Sequence, residues 1–365
     1  MKLPFFFSAG ILLLASLCCR AQFYRSWADG PLTRYDFQMP FPENAGNVKD
    51  AYISLSLIRE NKVVKSQDIV YKYQDIMASI IPGQSWISPE ARTEATLARL
   101  QKEFDVFQHF ASRYRDDYLF YNDLRQDQYE NYFPETNKHK LPESWYLEQY
   151  RLAVQEIGKT GDASPYPVSR EAFDITKVPC RIEEGSTRVL FYLISVFPGS
   201  ALRREFEPAY GLSGGVAHRE GKGMFGTELS IAAVGPHNFG YDENGGSIDT
   251  KGAFLRFMAY YGRYIFSEGK MGVNVFAGAG YSAWKPGLII ADPLFAGATL
   301  TQGVNLEFPL KKTMNFLAKK PQLQILNLNV KLYVDELYNA SEKIIMPTFN
   351  LAVGLDYGWH LITRP

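Results

Sequence analysis

The sequence predicts an α+β domain followed by an all-β antiparallel membrane barrel of about eight strands. Three observations carry that fold class. The hydrophobic period switches from helical to two near residue 187, the long alternating segments have apolar faces almost free of charge, and 15% of residues are aromatic, with 23 Tyr and 25 Phe. At 365 residues the chain can bury more than one core, and its 39 basic residues balance 39 acidic ones. A neutral balance supplies no long-range positive field, which excludes a general nucleic-acid-binding role. A mean hydropathy of −0.20 excludes a bundle of membrane helices but not a barrel, whose inward residues dilute the signal.

The first segment, 1–21, reads as a secretory signal peptide. Lys2 gives a positive start, Phe5 to Leu17 is an apolar run too short to span a bilayer, and Ala21-Gln22 offers a cleavage junction. Leu17 before Cys18 does not suit a lipoprotein box, which needs a small residue there. Lys2, Arg20 and two of the three cysteines leave with the signal. The exported chain is therefore slightly acidic and keeps Cys180, with no intramolecular disulfide.

The next segment, 23–158, is expected to be the α+β domain. Ala51 to Leu57 and Asp68 to Tyr73 alternate as short strands do, and 88–158 is mainly helical. Ser88-Pro89-Glu90 suits a helix start, with a capping hydroxyl, a proline at the first helical position and an acid in the first turn. Leu97, Leu100, Phe104, Phe107, Ala111, Tyr114 and Tyr118 step by three and four, laying one apolar stripe along a helix. A second helix is expected from Glu143 to Ile157. Residues 159–186, rich in Pro, Ser, Gly and Asp, read as a linker.

The barrel is expected over 187–365, with strands at 187–197, 204–218, 224–235, 253–266, 272–284, 294–308, 324–336 and 347–361. Leu326, Leu328, Val330, Leu332 and Val334 share one face, opposite Asn327, Asn329, Lys331, Tyr333 and Asp335. Phe349, Leu351, Val353, Leu355, Tyr357, Trp359 and Leu361 likewise oppose Asn350, Gly354, Asp356 and His360. Glycine is depleted in ordinary strands, yet here it recurs opposite the hydrophobes, as a narrow, crowded interior requires. Lipid-facing strands of about nine to eleven residues alternate in this sense. A soluble sandwich or lipocalin-like barrel also alternates, but it calls for polar outer faces. Connection lengths agree with short turns on one side and long loops on the other. The exceptions are Pro309 to Gln322, which is long on the short-turn side and carries Lys311, Lys312, Lys319 and Lys320, and, more mildly, Pro198 to Arg203, which is short on the long-loop side. The polar inward residues Asn329, Lys331, Asp335, Asn350, Asp356 and His360 are expected to plug the lumen, a narrow pore being the alternative.

Leu32-Thr33-Arg34-Tyr35-Asp36-Phe37, a later Ser85-Trp86, and the helix Leu97-Ala98-Arg99-Leu100-Gln101-Lys102-Glu103-Phe104-Asp105 follow one another in an order with a precedent. Over about residues 24–120 they resemble a secreted, metalloprotease-like bacterial domain family of unknown function. Members show L-T-x-x-D-F, then S-W, then a helix of the form H-E-Q-x-H-F-D. In the resemblance, Arg99 and Glu103 stand at the two ligand positions and Leu100 at the general base. An H-E-x-x-H helix works because residues i and i+4 present two imidazoles to zinc from one face. A guanidinium cannot ligate zinc and a leucine cannot take a proton, so Arg99, Leu100 and Glu103 mark a degenerate site with no metal and no cofactor. The Ala21-Gln22 junction and the alternating C-terminal half resemble exported and outer-membrane β-barrel proteins of the Bacteroidetes.

The resulting expectation is a cell outer-membrane barrel with a non-catalytic N-terminal domain in the periplasm, in a structural, anchoring or partner-binding role. Outer-membrane lipid is the expected partner, a second envelope protein is admissible, and nucleic acid is not. The alternative is an envelope hydrolase, either a divergent metallopeptidase or a barrel lipid esterase built from Ser213, His218 and Glu228.

Overall fold

The structure, a computed structural model, describes residues 24–42, 50–120, 143–200, 202–204, 206–235, 252–268, 270–285, 295–318, 320–339 and 344–365. The expected signal peptide lies outside the described residues. The chain forms two compact units: the described residues within Met1–Val63 and Tyr73–Val178, and Val64–Lys72 together with Pro179–Pro365.

In the first unit are β1 (Arg25–Ser26), β2 (Ala51–Tyr52), most of β3 (Leu55–Ser66) and β4 (Ile69–Ile80), β5 (Trp86–Ile87), and the helices α1 (Glu94–Tyr118) and α2 (Glu143–Thr160); the end of β3 and the start of β4 belong to the second. Strand β4 pairs with β3 and, at its end, with β1, while β2 pairs with β5. Helix α1 supplies two cores, the second using Val106 and Phe110 beside the expected stripe. Leu100, Phe104, Phe107 and Ala111 pack with Ala78, Ile80 and Ile87. Val106, Phe110, Tyr114 and Tyr118 pack with Ile76 and with Tyr146 and Ala153 of α2.

Two local expectations for this unit are corrected. Helix α1 begins at Glu94, not at Ser88: Thr93 is its cap, accepting from Thr96 N at 3.2 Å, while the Ser88 hydroxyl is used by Ala91 N in a turn. The stretch read as a linker from 159 is packed up to Val178. The His109 ring lies 2.8 Å from the Pro167 carbonyl, the Arg115 guanidinium stacks 3.6 Å from the Phe173 ring, and Ile175 is buried. Aromatic anchors outweigh the turn-rich composition there.

The second unit is built on β6 (Arg181–Pro198), β7 (Ala209–Glu220), β8 (Gly223–Val234), β9 (Gly252–Glu268), β10 (Met271–Lys285), β11 (Phe295–Asn315), β12 (Gln322–Asn339) and β13 (Ile344–Thr363). Each strand is antiparallel to the next, and β13 pairs back onto β6, with Leu355 opposite Phe191. The sheet is therefore a closed eight-stranded barrel with no open edge around its wall. Residues 221–222 form the tight β7–β8 turn, where Gly221 has φ of 54°, a conformation costly for a residue with a Cβ.

Strand ends differ from expectation in two places. Of the segment 204–208, the described residues 204 and 206–208 precede β7, which starts at Ala209, and Leu202 and Phe206 are fully buried. The long Pro309 to Gln322 connection is mostly strand, since β11 runs to Asn315 and β12 starts at Gln322. Past the point where β10 ends, β11 acquires a new neighbour: Ile69–Lys72 pairs in parallel with Lys312–Asn315, and Phe316 N donates to the Lys72 carbonyl at 2.8 Å. That backbone pairing explains strand geometry in a lysine-rich stretch.

Side chains alternate across the wall, apart from register shifts at Val273/Asn274, Pro309/Lys311 and His360/Ile362. Phe191, Leu193, Leu229, Ile265, Leu300 and Leu332 point outward and are each more than half exposed. Inward, Arg188, Leu190, Tyr192, Ile194 and Val196 of β6 are all buried.

Candidate functional site

The lumen is stratified. At the β6–β7 connection end it is apolar: the Phe206 and Phe254 rings lie 5.2 and 4.9 Å from Trp284, and Phe295 closes on Phe206 at 6.2 Å. The middle is charged. Among the described buried residues of the barrel, Arg188, Arg256 and Lys331 face Glu228, Glu307, Asp335 and Asp356. Arg256 donates to Asp335 at 2.8 Å and to Ser230 at 3.1 Å, and Asn350 adds a bond to Asp335 at 3.1 Å. Thr301 also donates to Asp335. Arg188 bridges Glu307 at 2.8 Å and Asp356 at 3.0 Å, with Asn327 on Asp356 at 2.7 Å and Tyr264 donating to Glu307.

Lys331 sits at the centre. Its ammonium pairs with Glu228 and lies 4.3, 5.0 and 5.6 Å from the ring centroids of Tyr192, Tyr260 and Phe276. A desolvated cation held over aromatic faces is stabilised by the ring quadrupoles as well as by its carboxylate. Glycines make room for these rings. Gly226 and Gly278 lie opposite Tyr260 on its two neighbouring strands. A Cβ on Gly226 would fall 2.6 Å from the phenol of Tyr260, far inside contact distance.

The sequence-predicted lumen residues divide as follows. Asn329, Lys331, Asp335, Asn350 and Asp356 are buried inside the barrel. His360, of the same parity, lies half-buried near the end of β13, with its ring nitrogen 3.1 Å from the Glu183 carbonyl. Sequence reasoning missed Arg188, Glu228, Arg256 and Glu307 as members of the network. Arg188, Glu228 and Arg256 are each the lone charge in their inward row, and a lone charge at that parity was the available signal. Ser213, His218 and Glu228 do not converge. Ser213 is buried and accepts from Ser230 at 3.0 Å, Glu228 is engaged by Lys331, and His218 is opposite Phe225 on the outer face.

In the first unit, Arg99 donates to Glu103 at 3.0 Å along α1, and Leu100 is buried in the core. Both Arg99 and Glu103 line a groove of about 570 Å³ between α1, α2 and the β2–β3 segment, with Tyr52, Leu147 and Tyr150 on its walls. Burial pushes the Tyr150 phenol well above its ordinary pKa, with the Glu103 charge adding to the effect, so it stays neutral. No group of three His, Cys, Asp or Glu able to hold a metal occurs among the described residues.

The residues of the three segments Leu32–Phe37, Ser85-Trp86 and Leu97–Asp105 act here as joints of the fold. Asp36 caps its own turn by accepting from Thr33 N and Oγ1, at 2.6 and 2.9 Å, and pairs with Arg25. Ser85 accepts from Ser54 N and donates to the Ile81 carbonyl, both at 2.9 Å. Gln101 accepts from Leu32 N at 2.7 Å, and Asp105 accepts from the Trp27 indole at 2.8 Å.

No family model matches the chain, and no curated protein matches it. It is similar to several solved structures. Neisserial surface protein A matches with a TM-score of 0.31 and 9% identity, over 48% of this chain and 97% of that one. Ail, the attachment invasion locus protein of Yersinia pestis, matches at 0.27 and 12%, over 48% and 99%. The outer membrane protein OprG from Pseudomonas aeruginosa matches at 0.25 and 12%, over 50% and 98%.

Proposed function

We propose that this chain is an outer-membrane protein whose barrel anchors a non-catalytic N-terminal unit in the periplasm, where that unit has a structural or partner-binding role. The observation that carries the proposal is the outer wall. A soluble barrel of this size would face water with polar side chains, whereas this one exposes a continuous band of Phe, Leu, Ile and Val. Tyr210, Tyr261, Tyr281 and Tyr357 are exposed on the same wall, as girdle residues at membrane interfaces are. A lumen filled by ion pairs and aromatic rings suits an anchor and not a conduit. Arg99 and Glu103 satisfy each other, which leaves the α1 helix no zinc chemistry.

Detergent-extracted protein should run at different apparent sizes on gels before and after boiling. Protease should cut the N-terminal unit only after the outer membrane is opened. Equal mobility in the two samples would sink the barrel reading, and cleavage in intact cells would put the unit on the outside. One zinc per purified chain, or peptidase activity lost on chelation, would overturn the non-catalytic assignment.

A further inference from the structure

The lipid-facing row of β11 reads Ala296, Ala298, Leu300, Gln302, Val304, Leu306, Phe308: six apolar residues with one amide at the midpoint. Gln302 is exposed and forms no hydrogen bond among the described residues. Its cross-strand neighbours are Ala277 on β10 and Val334 on β12, so the amide is ringed by apolar groups. At about 3.3 Å per residue and a tilt near 45°, six residues place each end of the row roughly 14 Å away along the membrane normal. That is further than a glutamine side chain can reach, so Gln302 cannot take water or headgroups as partners, and in hydrocarbon an amide without a partner is costly. Beside it Ala277 and Ala279 are exposed, and Ala259 lies directly opposite Ala279 on β9, a patch of small residues bordered by Tyr261 and Leu300.

An amide is both donor and acceptor, so it complements itself. Two copies related by a two-fold axis can each donate Nε2–H to the other's Oε1, satisfying both groups with one residue type. Small residues around the amide let two walls approach closely enough for that pairing. We propose that the barrel forms a two-fold dimer within the membrane through its β10–β11 face, with Gln302 paired to Gln302 of the partner subunit across a patch formed by Ala259, Ala277 and Ala279. This proposal rests on the outer-membrane reading above.

The test uses the full chain in a Cys18→Ser, Cys19→Ser, Cys180→Ser background, carrying Ala277→Cys and reconstituted into phosphatidylcholine vesicles at low protein-to-lipid ratio. Mild oxidation should give a covalent dimer on a non-reducing gel. Leu193→Cys, on the opposite wall, should give at least tenfold less, and adding Gln302→Leu to Ala277→Cys should reduce the dimer by a similar factor. A chain that floats with the vesicles, shows heat-dependent mobility and does not cross-link overturns the dimer alone. A chain that does not float overturns the membrane reading and the dimer with it. Cross-linking that survives Gln302→Leu, or that in native membranes captures a different polypeptide in preference, also overturns the proposal.

Discussion

Replacing Lys331 by methionine keeps the volume of the side chain and removes its charge, leaving the Glu228 carboxylate facing three aromatic rings. Lys331 and Glu228 are 1% and 2% exposed, so solvent screens neither. Removing one partner of a buried ion pair typically costs about 3–5 kcal/mol, because the remaining charge is desolvated and uncompensated. Arg256 Nη2 stands 3.8 Å from the second Glu228 oxygen and compensates in part. The loss should therefore fall near the lower bound, about 3 kcal/mol. Glu228→Gln in the same chain removes the orphaned charge, and it is that uncompensated buried charge that makes the single change costly. Lys331→Met should thus lower the urea midpoint of the vesicle-inserted barrel, followed by tryptophan fluorescence, and the Lys331→Met, Glu228→Gln double variant should recover most of the loss. A single variant within about 1 kcal/mol of the parent, or a double variant no more stable than the single, would refute the account of Lys331 as a paired, desolvated cation.

Other parts of the molecule give their own expectations. Gly226→Ala puts a methyl where the Tyr260 ring lies and should cost about 1–3 kcal/mol in the same unfolding assay, an over-packing effect that vanishes if Tyr260 is also shortened to Leu. Phe206→Ala opens the apolar layer beside Trp284 and should cost about 3–5 kcal/mol with a red shift of tryptophan emission. The same variant should leave planar bilayers non-conducting, because the Arg256–Asp335 layer still fills the cross-section; ion-sized conductance steps would contradict a plugged lumen. Arg99→Ala should change stability by no more than about 0.5 kcal/mol, since its pair with Glu103 lies on a helix surface, and a larger loss would mean that the pair has a structural role beyond the helix.

Most of the barrel was legible because a period of two with an uncharged apolar face has few alternatives. The inward parity of Lys331, Asp335, Asn350 and Asp356 could be read directly from that alternation. Strand ends were less legible, and for reasons of context. Lys312 and Asn315 read as loop, but a partner strand far away in sequence, Ile69–Lys72, holds them extended. Phe206 fits an alternating pattern, yet it lies before β7 begins, with its ring buried against Trp284. On α1, Ser88-Pro89 carries a stronger start signal than Thr93, but the Ser88 hydroxyl is already engaged with Ala91. The partners of Lys331 could not be assigned at all. Glu228 is over a hundred residues away, and only closure of the ring brings it there.

The central claim, a barrel that crosses a lipid bilayer, is tested most directly by where the chain partitions when cells are broken and their membranes washed at alkaline pH. The apolar outer wall predicts that it sediments with the outer membrane, resists the wash and is released by detergent. Recovery of the mature chain in the soluble periplasmic fraction would contradict the account.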